Sequence, residues 1–443
     1  MTARPNRFTS GYLALGITLF YGVASLSSMA GMSIGAGIAI LATLSAFQFN
    51  SPFRLKFSES AQSLFLRSDV RSLMKSSAVF AAAIALSFLW AEFNPLTYGG
   101  EHAQIRILRD IGKLMYFLFP FLWAVLLGVM GALRQVRLLQ AWFVAAGVLG
   151  VLSVVQFFTG FPLPQPIPTS PRFFHATLFF GHHLSTASIL IFPAFVALAV
   201  AFFGSKPTAS EPLRRLRVLA AVSGALSVLA LVLSFSRMIW IALPLGLVLL
   251  LSRFFDFRKN LKVGALIALV GISVISAAVL KSPTLQERIR NPMGISTRFE
   301  LWRTNLEFFE ARPILGVGWR LNHELAHVRL NSLVSDPEVR KNTIIGHAHN
   351  NIIEMLAGTG LVGTLAWMLF NFQVLRMAWN SSRRSDLGSA VAWGVFCAWI
   401  LLHLNGLTQV NFWEGKVMHQ WTFALGLLLG FQLDKQRSSA QEL

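Results

Sequence analysis

Residues 346–372 read GHAHNNIIEMLAGTGLVGTLAWMLFNF, a polar stretch that runs directly into an apolar segment of membrane-spanning length. Two histidines and two asparagines occupy the boundary between these parts. Polar groups at such a boundary are costly to place in lipid and usually face a site. A neutral histidine is a suitable general base, because its ordinary pKa of about 6.5 is close to working pH. We therefore interpret this stretch as the start of a membrane helix that carries candidate catalytic groups.

The whole chain has the composition of a helical membrane protein. It contains 443 residues, of which 54% are hydrophobic and only 13% are charged. A soluble domain of this size is more polar. Apolar runs of about 17–25 residues, the length that a bilayer demands of a helix, recur along the chain. They predict twelve spans, near 11–30, 32–48, 76–93, 113–133, 138–158, 184–203, 218–235, 238–252, 263–281, 350–375, 389–404 and 418–433.

The distribution of charge predicts a topology. The net charge of +19 is spread over many loops, whereas a nucleic-acid interface gathers basic residues on one face. Most of the basic residues lie in alternate loops, and positive charge marks the cytoplasmic side of short loops, so both termini are predicted to be cytoplasmic. This divides the chain into residues 1–281 with nine spans, a large outer loop at 282–348, and residues 349–443 with three spans and a short tail.

The large outer loop is predicted to contain a helix over residues 298–312. Its apolar side chains recur at helical spacing as one stripe, so the helix would lie on the membrane surface or cover the bundle. The stripe consists of Phe299, Trp302, Leu306 and Phe309. Pro313 is expected to end the helix, and Gly316 and Gly318 mark a turn. Arg298 is expected to open it, with its side chain at the positive end of the helix dipole, where an anion would bind.

Two further arginines are candidates for binding an anion. Arg237 separates two spans with almost no loop, and a lone arginine at membrane depth is usually paired or functional. The alternative for Arg237 is that its side chain extends to the outer interface. Arg172 lies just before the sixth span and is the weaker candidate. A guanidinium presents a planar fork that fits phosphate oxygens, although most loop arginines are expected only to balance acids or contact water.

The histidines also permit a metal-site hypothesis, which the sequence does not favour. His175, His182 and His183 lie before the sixth span, on the same predicted side as His347 and His349. Zinc requires three or four oriented ligands, and His-Ala-His alone is a weak signal. Outer acids are sparse and the chain has no Asp-x-Asp pair, so we expect no metal and no cofactor, with arginines shielding any phosphates.

A purely structural interpretation of the histidine segment also exists. Asn350 has the residue type and position of a helix N-cap. Gly358, Gly360 and Gly363 share one stretch, which allows close approach of helices in a bilayer. The histidines, taken alone, would then belong to a tightly packed helix end.

Three blocks of this sequence together resemble the O-antigen ligase family, within the superfamily that also contains O-antigen polymerases and protein O-oligosaccharyltransferases. The blocks lie within residues 236–363, and the layout of twelve spans with one large outer loop extends the resemblance over the chain. They are Ser236-Arg237 with Trp240; Arg298-x-x-x-Trp302 closed by Pro313-x-x-Gly316-x-Gly318; and His349-Asn350, nine residues, then Gly360-x-x-Gly363.

The resemblance implies a fold and an activity. The fold would be an all-α integral membrane protein, a GT-C-like glycosyltransferase in the bacterial inner membrane, with a partly helical periplasmic loop and a periplasmic active site. The activity would be transfer of O-antigen glycan from undecaprenyl diphosphate to lipid A–core oligosaccharide, with inversion of the anomeric centre and without a metal. The donor, the acceptor and the lipid bilayer are thus the implied partners.

The resemblance also implies roles for particular residues. The family counterpart of His349 is the proposed base, and those of Arg298 and Arg237 are proposed to bind the diphosphate. Arg172 is added as a third diphosphate candidate from its position alone, outside the motifs. Asn350, within the motif, is a supporting candidate. His347 departs from the family pattern and is added as a supporting candidate at most.

Other functions are also compatible with the sequence. A polymerase of the same superfamily would use the same donor with a growing glycan as acceptor, and a protein O-oligosaccharyltransferase would glycosylate a protein. A lipid or glycan transporter would suit twelve spans equally well. It would, however, carry charged residues mid-span and broken helices in matching halves, whereas the ionisable residues here gather at the outer ends of the spans.

Overall fold

The structure is a computed structural model that describes residues 7–103, 112–167, 170–202, 211–253, 293–333, 335–336, 346–384 and 386–433. The described part is a helical bundle, which confirms the predicted all-α class. Its helices are α1 Arg7–Ala24, α2 Met29–Phe49, α3 Ser51–Leu66, α4 Ser68–Phe93, α5 Phe119–Val129, α6 Ala132–Thr159, α7 His183–Phe202, α8 Glu211–Leu233, α9 Arg237–Leu251, α10 Met293–Ala311, α11 Asn322–Leu333, α12 Asn351–Ser382, α13 Leu387–Asn405 and α14 Gly415–Gly430.

Short elements complete the described structure. A 3₁₀ helix over Gly112–Phe117 leads into α5. Two antiparallel pairs of strands connect helices at one end of the bundle. The strands are β1 Thr97–Tyr98, β2 Glu101–His102, β3 Pro166–Ile167 and β4 Ser170–Phe174.

Eight stretches of the described residues are long and apolar enough to cross a membrane. They are Ala30–Phe49, Ser68–Phe93, Gly112–Val129, Ala132–Thr159, His183–Phe202, Glu211–Leu233, Asn351–Ser382 and Leu387–Asn405. Every predicted span except 263–281 overlaps a helix, and that span lies outside the described residues. The chain is therefore a multi-pass membrane protein, while the total of twelve spans, the orientation of the termini and the side of the large loop stay predictions.

Two predicted boundaries near the N-terminus were wrong. The first span was expected to reach residue 30, but α1 ends at Ala24, because Ser28 begins a new helix by accepting a hydrogen bond from Gly31 N at 3.1 Å. The basic segment after the second span was expected to be a loop, but it forms α3. Asn50 accepts a hydrogen bond from Phe53 N at 2.9 Å and thereby caps α3. Because α3 is polar in composition, it contains no apolar run that would have predicted it.

The centre of the bundle is built from apolar helices that surround α7. This helix packs against α8 and α13, while α14 packs against α5, and α12 lies between α4 and α13. Aromatic rings fill the space between α13 and α14, where Phe412 stacks on Trp421 with 5.4 Å between ring centroids. This packing fixes the ends of α7, α12 and α14 next to one another.

Connections between helices meet at one end of the bundle, which we call the site end. Three backbone hydrogen bonds hold them together: Ala176 N to Leu233 O at 3.4 Å, Asn351 N to Gly406 O at 2.8 Å, and Val317 N to Ala357 O at 2.9 Å. A small second apolar cluster, centred on residues such as Phe308 and Leu325, joins α10 and α11 to this end. The other end, which we call the basic end, carries Arg67, Arg253 and Arg384, which lie in segments that were predicted to be cytoplasmic.

Candidate active site

A break in α12 determines how the segment after α10 is held at the site end. Gly360 has φ 61° and ψ −162°, a conformation that is essentially restricted to glycine. The break leaves two backbone N–H groups without helical partners, and these donate to the preceding segment: Leu361 N to Pro313 O at 2.8 Å and Val362 N to Ile314 O at 3.2 Å. The segment that follows α10 is thereby attached to α12.

A second glycine contact lies one turn earlier in α12. Gly316 has φ 71°, and a Cβ on it would lie 2.5 Å from the carbonyl carbon of Gly358. The close approach that the glycines predicted is therefore present, but the partner at Gly358 and Gly360 is the 313–320 segment rather than another helix. This contact gives a physical reason for the glycines in both segments, Gly316 in one and Gly358 and Gly360 in the other. Each glycine leaves room for the backbone of the opposite segment.

The predicted start of the helix in the large loop was wrong. Helix α10 begins at Met293, so Arg298 lies in its second turn and does not occupy the positive end of the helix. Ser296 and Thr297, which directly precede the predicted start, are themselves helical. Any role of Arg298 in binding an anion must therefore come from its side chain and its neighbours rather than from the helix dipole.

The apolar stripe on α10 is also displaced from the face that the helix buries. Phe299 and Leu306 are 59% and 37% exposed, whereas Leu301, Asn305 and Phe308 are buried. The buried face packs toward α12. The exposed phenylalanine and leucine leave an apolar surface on the outside of the helix, which suits a helix at a membrane surface.

A cavity of about 360 Å³ opens at the site end between α7, α11, α12 and the start of α14. Most of the residues that line it are of polar type, and they include ionisable groups of both signs. Six of the lining residues are His182, Arg320, His347, His349, Glu354 and Glu414. A concave site with a few convergent polar groups is the usual form of a small-molecule or catalytic site.

The backbone at His349 is strained and held on both sides. Its φ of 46° lies in the left-handed region, which costs a non-glycine residue on the order of 1–3 kcal/mol. On one side Ala348 N donates to Glu354 Oε2 at 2.9 Å, and on the other Asn350 Nδ2 donates to Leu407 O at 2.9 Å. Strain of this kind persists only where surrounding contacts enforce it, and it concentrates at functional sites.

The imidazole of His349 is neutral and has a defined tautomer. Burial and, next, the charge of His347 lower the pKa of His349 to about 4, against the opposing effect of a hydrogen bond to Gln409. Nδ1 lies 3.0 Å from Gln409 Oε1. Because this amide oxygen only accepts, the proton belongs on Nδ1 and the lone pair on Nε2. The imidazole can thus accept a proton at neutral pH.

His347 shares this environment. Its ring centroid is 4.1 Å from that of His349. Burial, followed by the charges of His323 and Arg320, lowers the pKa of His347 to about 4. The two imidazoles are therefore both uncharged at neutral pH, which allows them to lie so close together.

Asn350 acts as the N-cap of α12, as the structural interpretation of the sequence predicted. Its Oδ1 accepts hydrogen bonds from Ile352 N at 2.8 Å and Ile353 N at 3.1 Å, and its Nδ2 is bonded to the backbone after α13. Both ends of the side chain are thus used to fix the start of the helix next to His349.

Glu354 is a buried acid that the sequence motifs did not identify as a site residue. Its Oε2 accepts the bond from Ala348 N and a second bond from Asn322 Nδ2 at 2.9 Å, and the same Nδ2 lies 2.6 Å from Asn305 Oδ1. This chain of polar contacts joins α10, α11 and α12 to the histidine segment. A lone acid near the start of an apolar span was the signal that should have identified it.

The three predicted diphosphate-binding arginines occupy different places. Arg298 does not line the cavity, but its charge acts on the imidazole of His349. Arg237 does not line the cavity; it begins α9 directly after the short junction that the sequence predicted. Arg172 also lies away from the lining and is exposed on β4.

A row of aromatic rings leads from the junction before Arg237 to the cavity. Phe235, which has a left-handed φ of 55°, lies 5.9 Å from the His175 ring. His175 and His182 each stack on His183, with centroids 4.4 and 4.6 Å apart. Within the described ranges, no three His, Cys, Asp or Glu side chains form a group that could hold a metal ion.

An apolar groove of about 420 Å³ lies between α12 and α13. Trp367, Phe372 and Leu404 are among the residues that line it. One end reaches Asn351 and Gly406, which are hydrogen-bonded to each other beside the histidine segment. The groove thus runs along membrane-spanning helices and ends next to the cavity.

Comparison with known proteins agrees with the motifs. Residues 219–368 match the family model described as O-antigen ligase, and no curated protein matches the chain. The match extends from α8 through α10 and the histidine segment into α12, so it contains all three motif blocks. The predicted resemblance to the O-antigen ligase family is therefore confirmed for residues 219–368. Cavity residues such as His182, Gln409 and Glu414 lie outside the matched range.

Proposed function

We propose that this protein is a member of the O-antigen ligase family and that it transfers an O-antigen glycan from undecaprenyl diphosphate to lipid A–core oligosaccharide, on the periplasmic face of the bacterial inner membrane. One observation carries the proposal: His349 presents a strained, neutral imidazole to a polar cavity, within the electrostatic reach of Arg298. A base in the cavity can activate an acceptor hydroxyl, and a cation within its electrostatic reach can stabilise a departing diphosphate, so this arrangement suits the transfer of a sugar from a diphosphate.

The base step begins at Nε2 of His349. This nitrogen removes the proton of an acceptor hydroxyl while the hydroxyl oxygen attacks the anomeric carbon of the donor. Such proton transfer contributes about 10²–10⁴-fold to a rate. The bond from the anomeric carbon to the diphosphate oxygen breaks, and attack opposite that bond inverts the centre. A pKa near 4 makes the free imidazole a weak base, but the negative charge of a bound diphosphate would raise it.

The leaving group requires positive charge. We propose that Arg298 holds the diphosphate and stabilises the charge that develops as the bond breaks. Arg237 and Arg172 are proposed to bind the same group in the donor complex. The support for Arg237 is its position at the start of a membrane helix, next to the strained Phe235 and the row of rings that ends at the cavity.

Neighbouring residues position the base. Gln409 is proposed to keep the proton on Nδ1 of His349, so that Nε2 faces the acceptor. Asn350 and Glu354 hold the backbone on either side of the imidazole. His347, which is neutral and adjacent, is proposed to support the base without adding a positive charge beside it.

The apolar groove between α12 and α13 supports a lipid-linked donor. Its membrane-facing lining suits a polyprenyl chain, and its end beside Asn351 would bring the diphosphate of that lipid to the cavity. A water-soluble donor would have no use for such a groove.

A reconstituted transfer assay tests the proposal. The purified protein in liposomes receives undecaprenyl-diphosphate-linked O-antigen and lipid A–core, and the products are separated by gel electrophoresis. Core that carries O-antigen is the expected product, and omission of lipid A–core should abolish it. Longer lipid-linked glycan without capped core would indicate a polymerase instead, while glycan attached to a protein acceptor would indicate an oligosaccharyltransferase. Donor that crosses the bilayer unchanged would indicate a transporter.

A further inference from the structure

Arg320 lines the cavity, although no motif drew attention to it. It lies in the connection between α10 and α11, immediately before α11 begins. Its φ of 63° is in the left-handed region, so both Arg320 and His349 have strained backbone and line the same cavity. Two non-glycine residues in this conformation at one opening point to a functional constraint on each.

The position of Arg320 relative to the histidines is fixed by the backbone. The segment that precedes it is attached to α12 by the bonds from Leu361 to Pro313 and from Val317 to Ala357. The segment that contains His347 and His349 and the segment that contains Arg320 are therefore both attached to the N-terminal part of α12. The backbone from which the Arg320 side chain extends is thus fixed, so the binding of an anion has to order only the side chain.

The charge of Arg320 acts on groups inside the cavity. It contributes to the low pKa of His347 and of His323, after burial in both cases. It also interacts with the carboxylate of Glu354. The guanidinium therefore lies within electrostatic reach of His347, His323 and Glu354.

We propose that Arg320 binds a phosphate group of the donor diphosphate, next to His347 and His349. This inference rests on the proposed function for the identity of the donor. Arg298 does not line the cavity, whereas Arg320 does. A guanidinium fork binds phosphate oxygens bidentately, and charged hydrogen bonds are the stronger ones. Because both imidazoles are neutral, an anion beside them needs other cations, and Arg320 and Lys416 are cations that line the cavity.

The alternative is that Arg320 serves only to balance Glu354. The two roles make different predictions for binding of inorganic pyrophosphate, a soluble probe of the diphosphate site. We would measure its dissociation constant by calorimetry with purified wild-type, Arg320→Gln and Arg320→Lys proteins. The matched control is Arg303→Gln, because Arg303 has a side chain that is 77% exposed and pairs with Glu307 on the surface of α10.

Arg320→Gln is expected to weaken pyrophosphate binding by about tenfold or more, and to raise KM for the lipid-linked donor with a smaller change in kcat. Arg303→Gln should bind as the wild type does. Equal pyrophosphate affinity in wild-type and Arg320→Gln proteins would overturn the inference. Should Arg320→Gln not fold, Arg320→Lys is the second variant, because it keeps the positive charge beside Glu354. Arg320→Lys is expected to bind pyrophosphate several-fold more weakly than the wild type. Wild-type affinity for pyrophosphate in Arg320→Lys would also contradict the proposal.

The same experiment separates this inference from the proposed function. Pyrophosphate binding that depends on Arg320, in a wild-type protein that caps no core, would contradict the proposed function and retain the anion site. If the wild type capped core but pyrophosphate bound equally well to the Arg320→Gln variant, the proposed function would be retained and the role of Arg320 would be contradicted.

Discussion

The two ends of this bundle both carry arginines, yet they use them differently. At the basic end, Arg384 donates to Gln432 Oε1 at 2.6 Å, and Arg253 donates to the backbone carbonyl of Arg384 at 2.9 Å. These are ordinary surface contacts of helix ends. At the site end, Arg298 and Arg320 act electrostatically on half-buried histidines that line a cavity.

The backbone shows the same contrast. Every non-glycine residue with positive φ in the described residues belongs to connections at the site end: Leu178, Phe235, Arg320 and His349. Charge by itself therefore does not identify the functional end of this molecule. Charge combined with strained backbone and a cavity does, because strain is retained only where something requires it.

The sharpest test of this contrast is His349→Ala. Loss of the base is expected to reduce the rate of glycan transfer by about 10²–10⁴-fold, while the protein still inserts and folds. The measurement is the initial rate of core capping in liposomes, with folding followed by size-exclusion chromatography. The matched control is His327→Ala, since His327 is exposed on α11 and does not line the cavity. A rate for His349→Ala close to that of the control would remove the base from the mechanism.

A second test breaks the attachment of the two site segments. In Gly360→Ala the new Cβ would lie 2.4 Å from the carbonyl carbon of Ile314, and alanine does not tolerate this φ and ψ. We expect a loss of at least about 3 kcal/mol in stability, seen as a large fall in Tm. Gly37→Ala is the control, because a Cβ at Gly37 meets nothing within 4 Å. Equal Tm values for the two variants would show that the 313–320 segment is not held as described.

Much of the fold could be predicted from the sequence because membrane helices are encoded locally. Apolar runs located the described spans, and the short Ser234–Arg237 junction is present between α8 and α9. Helix α3 was missed since it is polar and shows no apolar run. The start of α10 was misplaced because Ser296 and Thr297 resemble caps but lie within the helix.

The candidate site could be predicted only in part, because its contacts join distant positions. The histidines and the N-cap Asn350 lie together in sequence, so one stretch identified them. Gln409 reaches His349 from a connection 60 residues later, and nothing local marks it. Arg320 acquires its position from hydrogen bonds between the preceding segment and α12, which only the folded chain reveals.

The pH dependence of transfer offers a smaller but more specific effect. Only the neutral imidazole is a base, and the pKa of His349 is about 4 because of burial, His347 and Arg298, against Gln409. The acid limb of kcat/KM is therefore expected near pH 4 rather than near the ordinary value of about 6.5. The free energy of unfolding should also decrease as the pH is lowered from about 6.5 to about 4, because in this range the unfolded imidazole takes up a proton that the folded one does not.

Gln409→Glu sharpens that measurement. A carboxylate beside Nδ1 favours the charged imidazole and should move the acid limb upward by about 1 pH unit or more. The comparison is the pH profile of kcat/KM for the variant and the wild type. An identical acid limb in both proteins would mean that His349 is not the group that titrates.

The smallest expected effect concerns the basic end. Arg384→Gln removes a guanidinium that is exposed and bonded to Gln432. Because substitutions of this kind usually change stability by no more than about 0.5 kcal/mol, we expect the Tm to shift little and the rate of core capping to stay within about twofold of the wild type. Arg320→Gln, measured alongside, loses a positive charge of the same kind at the site end. If Arg384→Gln reduced capping as much as Arg320→Gln, positive charge at either end would matter equally, and strain and burial would no longer distinguish the site end from the basic end.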